Sequence, residues 1–157
     1  MKKILLILFI LLCAALPSAA QTGLEINKIF NGRFSSDPAV TETLLSGSSK
    51  ILKKNKLTVF ATFKGPAANY RSEVEKAVLA DGASAIGKNV RYKEGKLYYA
   101  LFILRPIKAA GKTLNRYLYY LNNSANKGAN VMVVYLEGTL NEQEVSTLIS
   151  SLANKEK

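Results

Sequence analysis

The chain has 157 residues, of which 48% are hydrophobic, and it carries 22 Lys and Arg against 11 Asp and Glu, a net charge of +11. It contains no histidine and a single cysteine, Cys13. These numbers suit one globular domain and exclude a Ser-His-Asp triad and imidazole-ligated zinc. Removal of the first 20 residues would also exclude disulfides and thiol catalysis.

Residues 1–20 have the pattern of a secretory signal peptide. A basic start precedes an apolar run, residues 4–12, that is too short to span a bilayer comfortably, and small residues lie just before Gln21. We therefore expect a single mature domain of residues 21–157 in the periplasm or outside the cell, with no stable transmembrane segment once the signal is removed. A lipoprotein anchored through Cys13 is the less favoured alternative, because the residue before this cysteine is not small.

The basic residues are unevenly distributed along the chain. No acidic residue lies between Glu42 and Glu73, where six Lys or Arg occur, and none lies in residues 96–127. Such tracts attract polyanions, namely nucleic acid, anionic lipid or acidic glycan. Export from the cytoplasm makes nucleic acid the least favoured of the three, and solubilising surface lysines are the plainer interpretation of the tracts.

The first half of the mature chain predicts a short helix, two strands and a longer helix. Residues 24–30 place apolar side chains at helical spacing, residues 40–45 favour a strand over a helix, and residues 57–63 alternate as a strand. A helix capped by Asn69 follows and ends near residue 82. Its apolar stripe comprises Tyr70, Val74, Ala77 and Val78.

Residues 96–105 form the stretch around which we expect the sheet to be organised. Apolar or aromatic side chains fill both of its alternating faces, which is typical of a central strand. Glu94 and Gly95 predict a hairpin turn that joins this strand to a half-exposed strand around Val90, and Pro106 predicts its end.

Two further strands and a closing helix are predicted downstream. Strand formers fill residues 113–122 and 131–137, and a polar tract connects them. Asn141 and Glu144 have the spacing of a capping box and precede an apolar helical face.

Together these elements predict an α+β fold, an antiparallel sheet of about five strands with two amphipathic helices packed on one face. If the tract after residue 122 is a simple connection, Arg116 lies opposite Glu137 and Leu118 opposite Tyr135. The helices cover one sheet face. The other face collects the side chains that we take as a candidate partner-binding site: Arg91, Tyr98, Phe102, Arg116, Tyr120 and Tyr135.

That second face is too aromatic to be left bare. Tyrosine and arginine side chains on a rigid sheet are typical of binding surfaces, because they offer large contact area at low entropic cost. The alternative is that residues 24–45 fold across this face and bury it. No catalytic motif, metal-ligand set or cofactor fingerprint accompanies it, and the acidic pairs diverge on their helices: Glu73 with Glu75, and Glu142 with Glu144.

Five short motifs are spread along the chain: the signal peptide ending in Ala-Gln, Lys-Leu-Thr-Val-Phe at 56–60, Gly-Lys-Leu-Tyr-Tyr at 95–99, Arg-Tyr-Leu at 116–118 and Tyr-Leu-Glu-Gly at 135–138. With these motifs the chain resembles a family of small exported proteins of unknown function from Bacteroides-type bacteria. The resemblance covers most of the mature chain. It implies export and a compact α+β domain, and it implies no catalytic residues.

The sequence therefore predicts an exported, non-enzymatic binding or interaction module of the bacterial envelope, with no cofactor or metal, whose partner is another envelope protein or a glycan. The alternative function is a basic envelope protein that binds a polyanionic glycan or lipid head group. Added salt distinguishes the two, because it weakens polyanion binding steeply but not a tyrosine-centred protein contact.

Overall fold

A computed structural model describes residues 23–123 and 129–154 of the chain. The predicted signal peptide, Cys13 and residues 124–128 of the predicted connection lie outside the described residues. Within the described ranges, no helix is both long enough and apolar enough to cross a membrane.

The described chain forms one antiparallel sheet of six strands with helices packed against it. In chain order the elements are a 3-10 helix Glu25–Lys28, β1 Thr41–Ser46, α1 Lys50–Lys54, β2 Leu57–Pro66, α2 Ala67–Gly82, β3 Gly87–Lys93, β4 Lys96–Ala109, β5 Lys112–Asn122, β6 Asn130–Gly138 and α3 Glu142–Asn154. The strands lie in the order β1-β2-β6-β5-β4-β3, and every neighbouring pair is antiparallel. The predicted α+β class is confirmed, with one strand more than expected.

The two amphipathic helices lie on opposite faces of the sheet rather than on one. On the α2 face, helix α2 and the segment before β1 pack on Phe63, Phe102, Leu118, Tyr120 and Tyr135. On the α3 face, helices α1 and α3 pack on Tyr117, Tyr119, Val134 and Leu136. Because β5 and β6 are apolar on both sides, each side needs its own cover, and one helix on each face provides it.

The strand buried on both sides is β6, not β4. All of its residues from Val131 to Gly138 are buried, whereas β4 lies between β5 and the edge strand β3. On the α3 face, Leu101 and Ile103 of β4 are only half-buried. Residues 96–105 are therefore an interior strand next to the sheet edge, and the expected central position belongs to β5 and β6.

The predicted hairpin turn before β4 is confirmed, but a β-bulge follows it. Glu94 and Gly95 have φ angles of 52° and 72°, as a two-residue type I′ turn requires. Tyr92 then pairs with Leu97 and Arg91 with Tyr99, so Tyr98 is an extra residue in the ladder. The bulge reverses the alternation: Leu97 packs on the α2 face and Tyr99 on the α3 face, although the sequence assigns them to one face.

Pro106 does not end β4. The strand continues to Ala109, and the ladder with β5 skips Arg105 and Pro106 between Leu104 and Ile107. Proline lacks an N–H, and an irregularity in the ladder is where a strand tolerates it. The predicted register between β5 and β6 is confirmed: Arg116 lies opposite Glu137, and Leu118 opposite Tyr135.

The segment before β1 is tied to the end of α2 by a buried carboxylate. Asp81 is 6% exposed and accepts hydrogen bonds of 2.8 Å from the backbone N–H groups of Glu25 and Ile26, at the start of the 3-10 helix. Burial raises the pKa of Asp81, and these two hydrogen bonds oppose the shift. The predicted helix of residues 24–30 is thus a single 3-10 turn, held in place by a long-range contact.

Candidate functional site

Three of the predicted site residues are inaccessible to a partner in the folded protein. Phe102 is 2% exposed, and Tyr120 and Tyr135 are fully buried. They lie beneath α2 and the segment before β1, where Phe34 packs edge-on against Phe63 and Tyr70. The alternative in which residues 24–45 cover this face therefore describes the structure, with α2 as the larger part of the cover.

The other three predicted site residues do not form one surface. The bulge at Tyr98 turns Arg91 to the α3 face, where its guanidinium lies 5.3 Å from the centre of the Tyr99 ring. Arg116 remains on the α2 face, and its Nε donates to the carbonyl of Arg105 at 2.8 Å. Tyr98 is 39% exposed. The single aromatic face predicted from strict alternation is thus divided between the two sides of the sheet.

A polar network accounts for the buried Glu137, which is 2% exposed. Its carboxylate accepts from the hydroxyl of Thr58 at 2.9 Å and from the hydroxyl of Tyr135 at 3.0 Å. A buried carboxylate needs such donors to offset its lost hydration. The contacts of Glu137 and Tyr135 within the described part of the chain are therefore those of a structural network inside the domain.

Tyr98 instead lines a cleft at one end of the sheet. The cleft has a volume of about 240 Å³ and lies where β4 begins and β5 ends, beside the second turn of α2. Its lining residues are Arg71, Lys93, Glu94, Lys96, Leu97, Tyr98 and Asn122.

The cleft is basic, and none of its cations is held in an ion pair by a described residue. Three positive side chains face a single carboxylate, that of Glu94. None of the three forms an ion pair with a described residue; the ion pairs among the described residues join Lys28 to Glu25, Arg33 to Glu73 and Lys56 to Glu144. An anion entering the cleft would therefore meet positive charge that no described protein carboxylate neutralises within 4 Å.

Asn122 adds a buried, half-satisfied amide to the cleft wall. Its side chain is 1% exposed, and its Nδ2 donates to the carbonyl of Leu97 at 3.3 Å. The carbonyl can only accept, so the amide nitrogen must face it, and Oδ1 points elsewhere. Within the part of the chain that the structure describes, Oδ1 has no hydrogen-bond partner. A buried acceptor left unpaired costs stability unless something else supplies a donor.

Sequence reasoning missed every member of the cleft except Tyr98. The predicted elements place Arg71 on the helix capped by Asn69, Lys96 at the start of the strand of residues 96–105, and Asn122 at the end of the strand of residues 113–122. A signal was present in the absence of acidic residues from 96 to 127 and in an asparagine that ends an apolar strand. What brings these residues together is the packing of α2 across the sheet, which alternation alone does not specify.

One member of each acidic pair considered from the sequence forms an ion pair. Glu73 pairs with Arg33, and Glu144 pairs with Lys56. Within residues 23–123 and 129–154, no group of three or more His, Cys, Asp or Glu side chains is placed to hold a metal ion.

Residues 13–149 match a family model described as a family of unknown function, DUF6108. The match spans well over half of the chain and contains every residue of the cleft. No curated protein and no solved structure matches the chain.

Proposed function

The chain belongs to this family of unknown function, and we propose that it is an exported, non-enzymatic binding protein of the bacterial envelope whose ligand is an anionic glycan or lipid head group. The observation that carries the proposal is the basic cleft, which Arg71, Lys93 and Lys96 line with Glu94 as its one carboxylate. None of these three cations forms an ion pair with a described residue. Convergent cations with a low-dielectric wall raise the local concentration of anionic ligands.

Binding rather than catalysis is favoured by the residue types at hand. Residues 21–157 contain no histidine and no cysteine, and the cleft has one carboxylate, whereas glycosidase chemistry uses two at a defined separation. The cleft therefore offers charge and hydrogen bonds to a ligand but no pair of groups for acid-base chemistry.

Export is supported by the pattern of residues 1–20, with its basic start, apolar run and small residues before Gln21. In the envelope a protein meets acidic glycans and lipid head groups. If export is correct, the protein recovered from the envelope fraction has an N-terminus at Gln21; an intact chain confined to the cytoplasm would contradict it.

A protein contact centred on Tyr120 and Tyr135 is not favoured. Both rings are fully buried, so a partner could reach them only after α2 or the segment before β1 had moved away. The basic cleft needs no such rearrangement, and so the polyanion alternative is the one we carry forward.

The test compares two variants of the mature chain with the same change in net charge. One replaces Arg71, Lys93 and Lys96 of the cleft by glutamine, and the other replaces the exposed Lys50, Lys53 and Lys54 of α1 by glutamine. The probes are polygalacturonate and vesicles that contain phosphatidylglycerol.

We expect the unaltered protein to bind at least one probe with an affinity that falls steeply as salt is raised past about 0.1 M, where the screening length is about 10 Å. The cleft variant should lose this binding and the α1 variant should keep most of it. Equal losses in the two variants would show that overall charge alone acts, and the absence of binding to either probe would refute the proposal.

A further inference from the structure

We propose that the edge of the sheet at β3 binds an extended segment of a partner protein in which acidic and apolar residues alternate. This surface adjoins the cleft at Lys93 but is otherwise distinct from it, so the inference goes beyond the proposed function and does not rest on it. Its basis is that β3 offers backbone hydrogen-bonding groups at a sheet edge, with positive charge on one face of the sheet and apolar surface on the other.

The outer edge of β3 has no neighbouring strand among the described residues. β3 is the last strand in the order, and within the described ranges it pairs with β4 alone. Gly87 and Val90 are half-buried and the other residues of β3 are exposed. In an antiparallel edge strand, alternate residues direct their N–H and C=O groups away from the sheet. An extended peptide can pair with these groups and add as a further strand.

Positive side chains line β3 on the α3 face. Arg91 lies on this face beside Tyr99, and alternation places Lys93, two residues further on, on the same face. Neither cation forms an ion pair with a described residue, and residues 87–93 contain no acidic residue. Because opposite charges on adjacent strands attract, this face selects glutamate or aspartate in an added strand.

Apolar side chains line β3 on the α2 face. Val90 packs against the core beneath α2, and Tyr92 pairs with Leu97, which packs in the same core. Tyr92 is 60% exposed, so its ring offers apolar surface to a neighbouring strand. Lys88 also lies on this face, but its Nζ donates to the carbonyl of Ala83 at 3.1 Å, at the end of α2. An added strand therefore finds its apolar contacts on this face.

A second copy of β3 fits this edge less well than an acidic segment does. Pairing of two copies would bring Lys88, Arg91 and Lys93 of both chains together, and neither strand contains a carboxylate to offset the repulsion. Basic residues on an edge strand act against such self-pairing. The same charges attract a strand of opposite sign, and so the occupant we assign is an acidic segment of another protein.

The first test uses the unaltered mature protein and a fluorescein-labelled peptide in which glutamate and valine alternate over seven residues, the length of β3. Two further peptides carry backbone N-methyl groups, one on its glutamates and the other on its valines. The N–H groups of alternate residues in a strand point to opposite edges, so only one of these sets faces β3. We expect fluorescence anisotropy to show that one methylated peptide binds as the parent does and that the other binds about tenfold more weakly.

Charge variants locate the peptide on the protein. Arg91→Glu reverses a charge on β3, and Lys112→Glu makes the same change in net charge at the exposed start of β5. We expect Arg91→Glu to reduce peptide affinity about fivefold, because a like charge replaces an opposite one across the strand pair. Lys112→Glu should change the affinity little. Arg71→Gln alters the cleft but not the edge, and it should leave peptide binding unchanged.

The outcomes decide this inference separately from the proposed function. Equal binding of the two methylated peptides would show that charge alone acts, and the absence of binding by the parent peptide would also overturn the inference. A protein that sediments as a dimer and binds no peptide would assign the edge to a second copy. Loss of peptide binding in Arg71→Gln would place the peptide in the cleft and overturn the inference as well.

Anion binding at the cleft is decided by polygalacturonate and the vesicles, so either proposal can fail alone. The comparison of the methylated peptides needs no variant, so it decides the question even if Arg91→Glu does not fold.

Discussion

At the scale of single residues, two buried tyrosines on neighbouring strands have hydroxyl groups in opposite situations. The hydroxyl of Tyr135 donates to Glu137 at 3.0 Å, whereas the hydroxyl of Tyr120 has no hydrogen-bond partner among the described residues. Burial raises the pKa of both phenols far above the ordinary value, and nearby Glu137 or Glu75 adds to the shift. Both phenols therefore stay neutral. Only in Tyr135 does a hydrogen bond offset the lost hydration of the hydroxyl oxygen.

Removal of these hydroxyl groups should therefore change stability in opposite directions. Tyr120→Phe deletes an unpaired polar atom and is expected to raise the free energy of unfolding by about 1 kcal/mol, whereas Tyr135→Phe should lower it by about 1 kcal/mol. Urea unfolding of the two variants beside the unaltered protein measures both changes. A loss in Tyr120→Phe as large as that in Tyr135→Phe would mean that the Tyr120 hydroxyl has a partner after all.

At the scale of elements, the start of α3 shows how a local motif fixes a helix. The backbone N–H of Glu144 donates to Oδ1 of Asn141, and the backbone N–H of Asn141 donates to Oε2 of Glu144, each at 3.0 Å. This is the capping box that the sequence predicts. The Lys56 side chain, and after it the Asn141 N–H, hold the pKa of Glu144 below its usual value of 4.5.

This lowered pKa makes the cap sensitive to acid. Because the folded chain binds the Glu144 proton less readily than the unfolded chain, the stability from its carboxylate is present above pH 4.5 and is lost as the pH falls through the lower folded pKa. The difference in free energy of unfolding between the unaltered protein and Glu144→Gln should therefore decrease as the pH is lowered. Thermal unfolding across this range measures it, with Glu142→Gln as a control in the same helical turn. A gap that is independent of pH would contradict the capping role.

The elements also show which features of the fold can be derived from sequence. The pairing of Arg116 with Glu137 was predictable because alternation in β5 and β6 is uninterrupted. The bulge at Tyr98 was not predictable. One inserted residue moves every side chain beyond it to the other face of the sheet, and the apolar pattern of the sequence is the same with or without it. The same error misassigned Arg91.

The position of α2 on the sheet depends on tertiary packing, which the sequence pattern does not specify. Gly82, at the end of α2, lies so close to the Phe102 ring that an added Cβ would approach its atoms to 2.5 Å. This close approach places α2 over the aromatic face, which the sequence pattern predicts to be a binding surface. Nothing in the periodicity of α2 specifies which face of the sheet it covers, and so the cleft beside Arg71 could not be foreseen.

At the scale of the whole molecule, the aromatic core beneath α2 and the proposed binding cleft are separated in space. The aromatic residues of the α2 face form the interior beneath α2 and the segment before β1, while Arg71, Lys93 and Lys96 line the cleft at one end of the sheet. Under the proposed function, the core would make no contact with the ligand. The proposed binding at the cleft therefore requires no opening of the α2 face.

The most direct test of the basic cleft as the binding site is an NMR titration of the ¹⁵N-labelled mature chain with oligogalacturonate, which locates the site without a variant. We predict that the largest amide shifts cluster at Arg71, at residues 93–98 and at Asn122, and that they diminish as salt is added. Shifts centred on the lysines of α1, or spread evenly over the basic surface, would contradict the assignment of the cleft as the binding site.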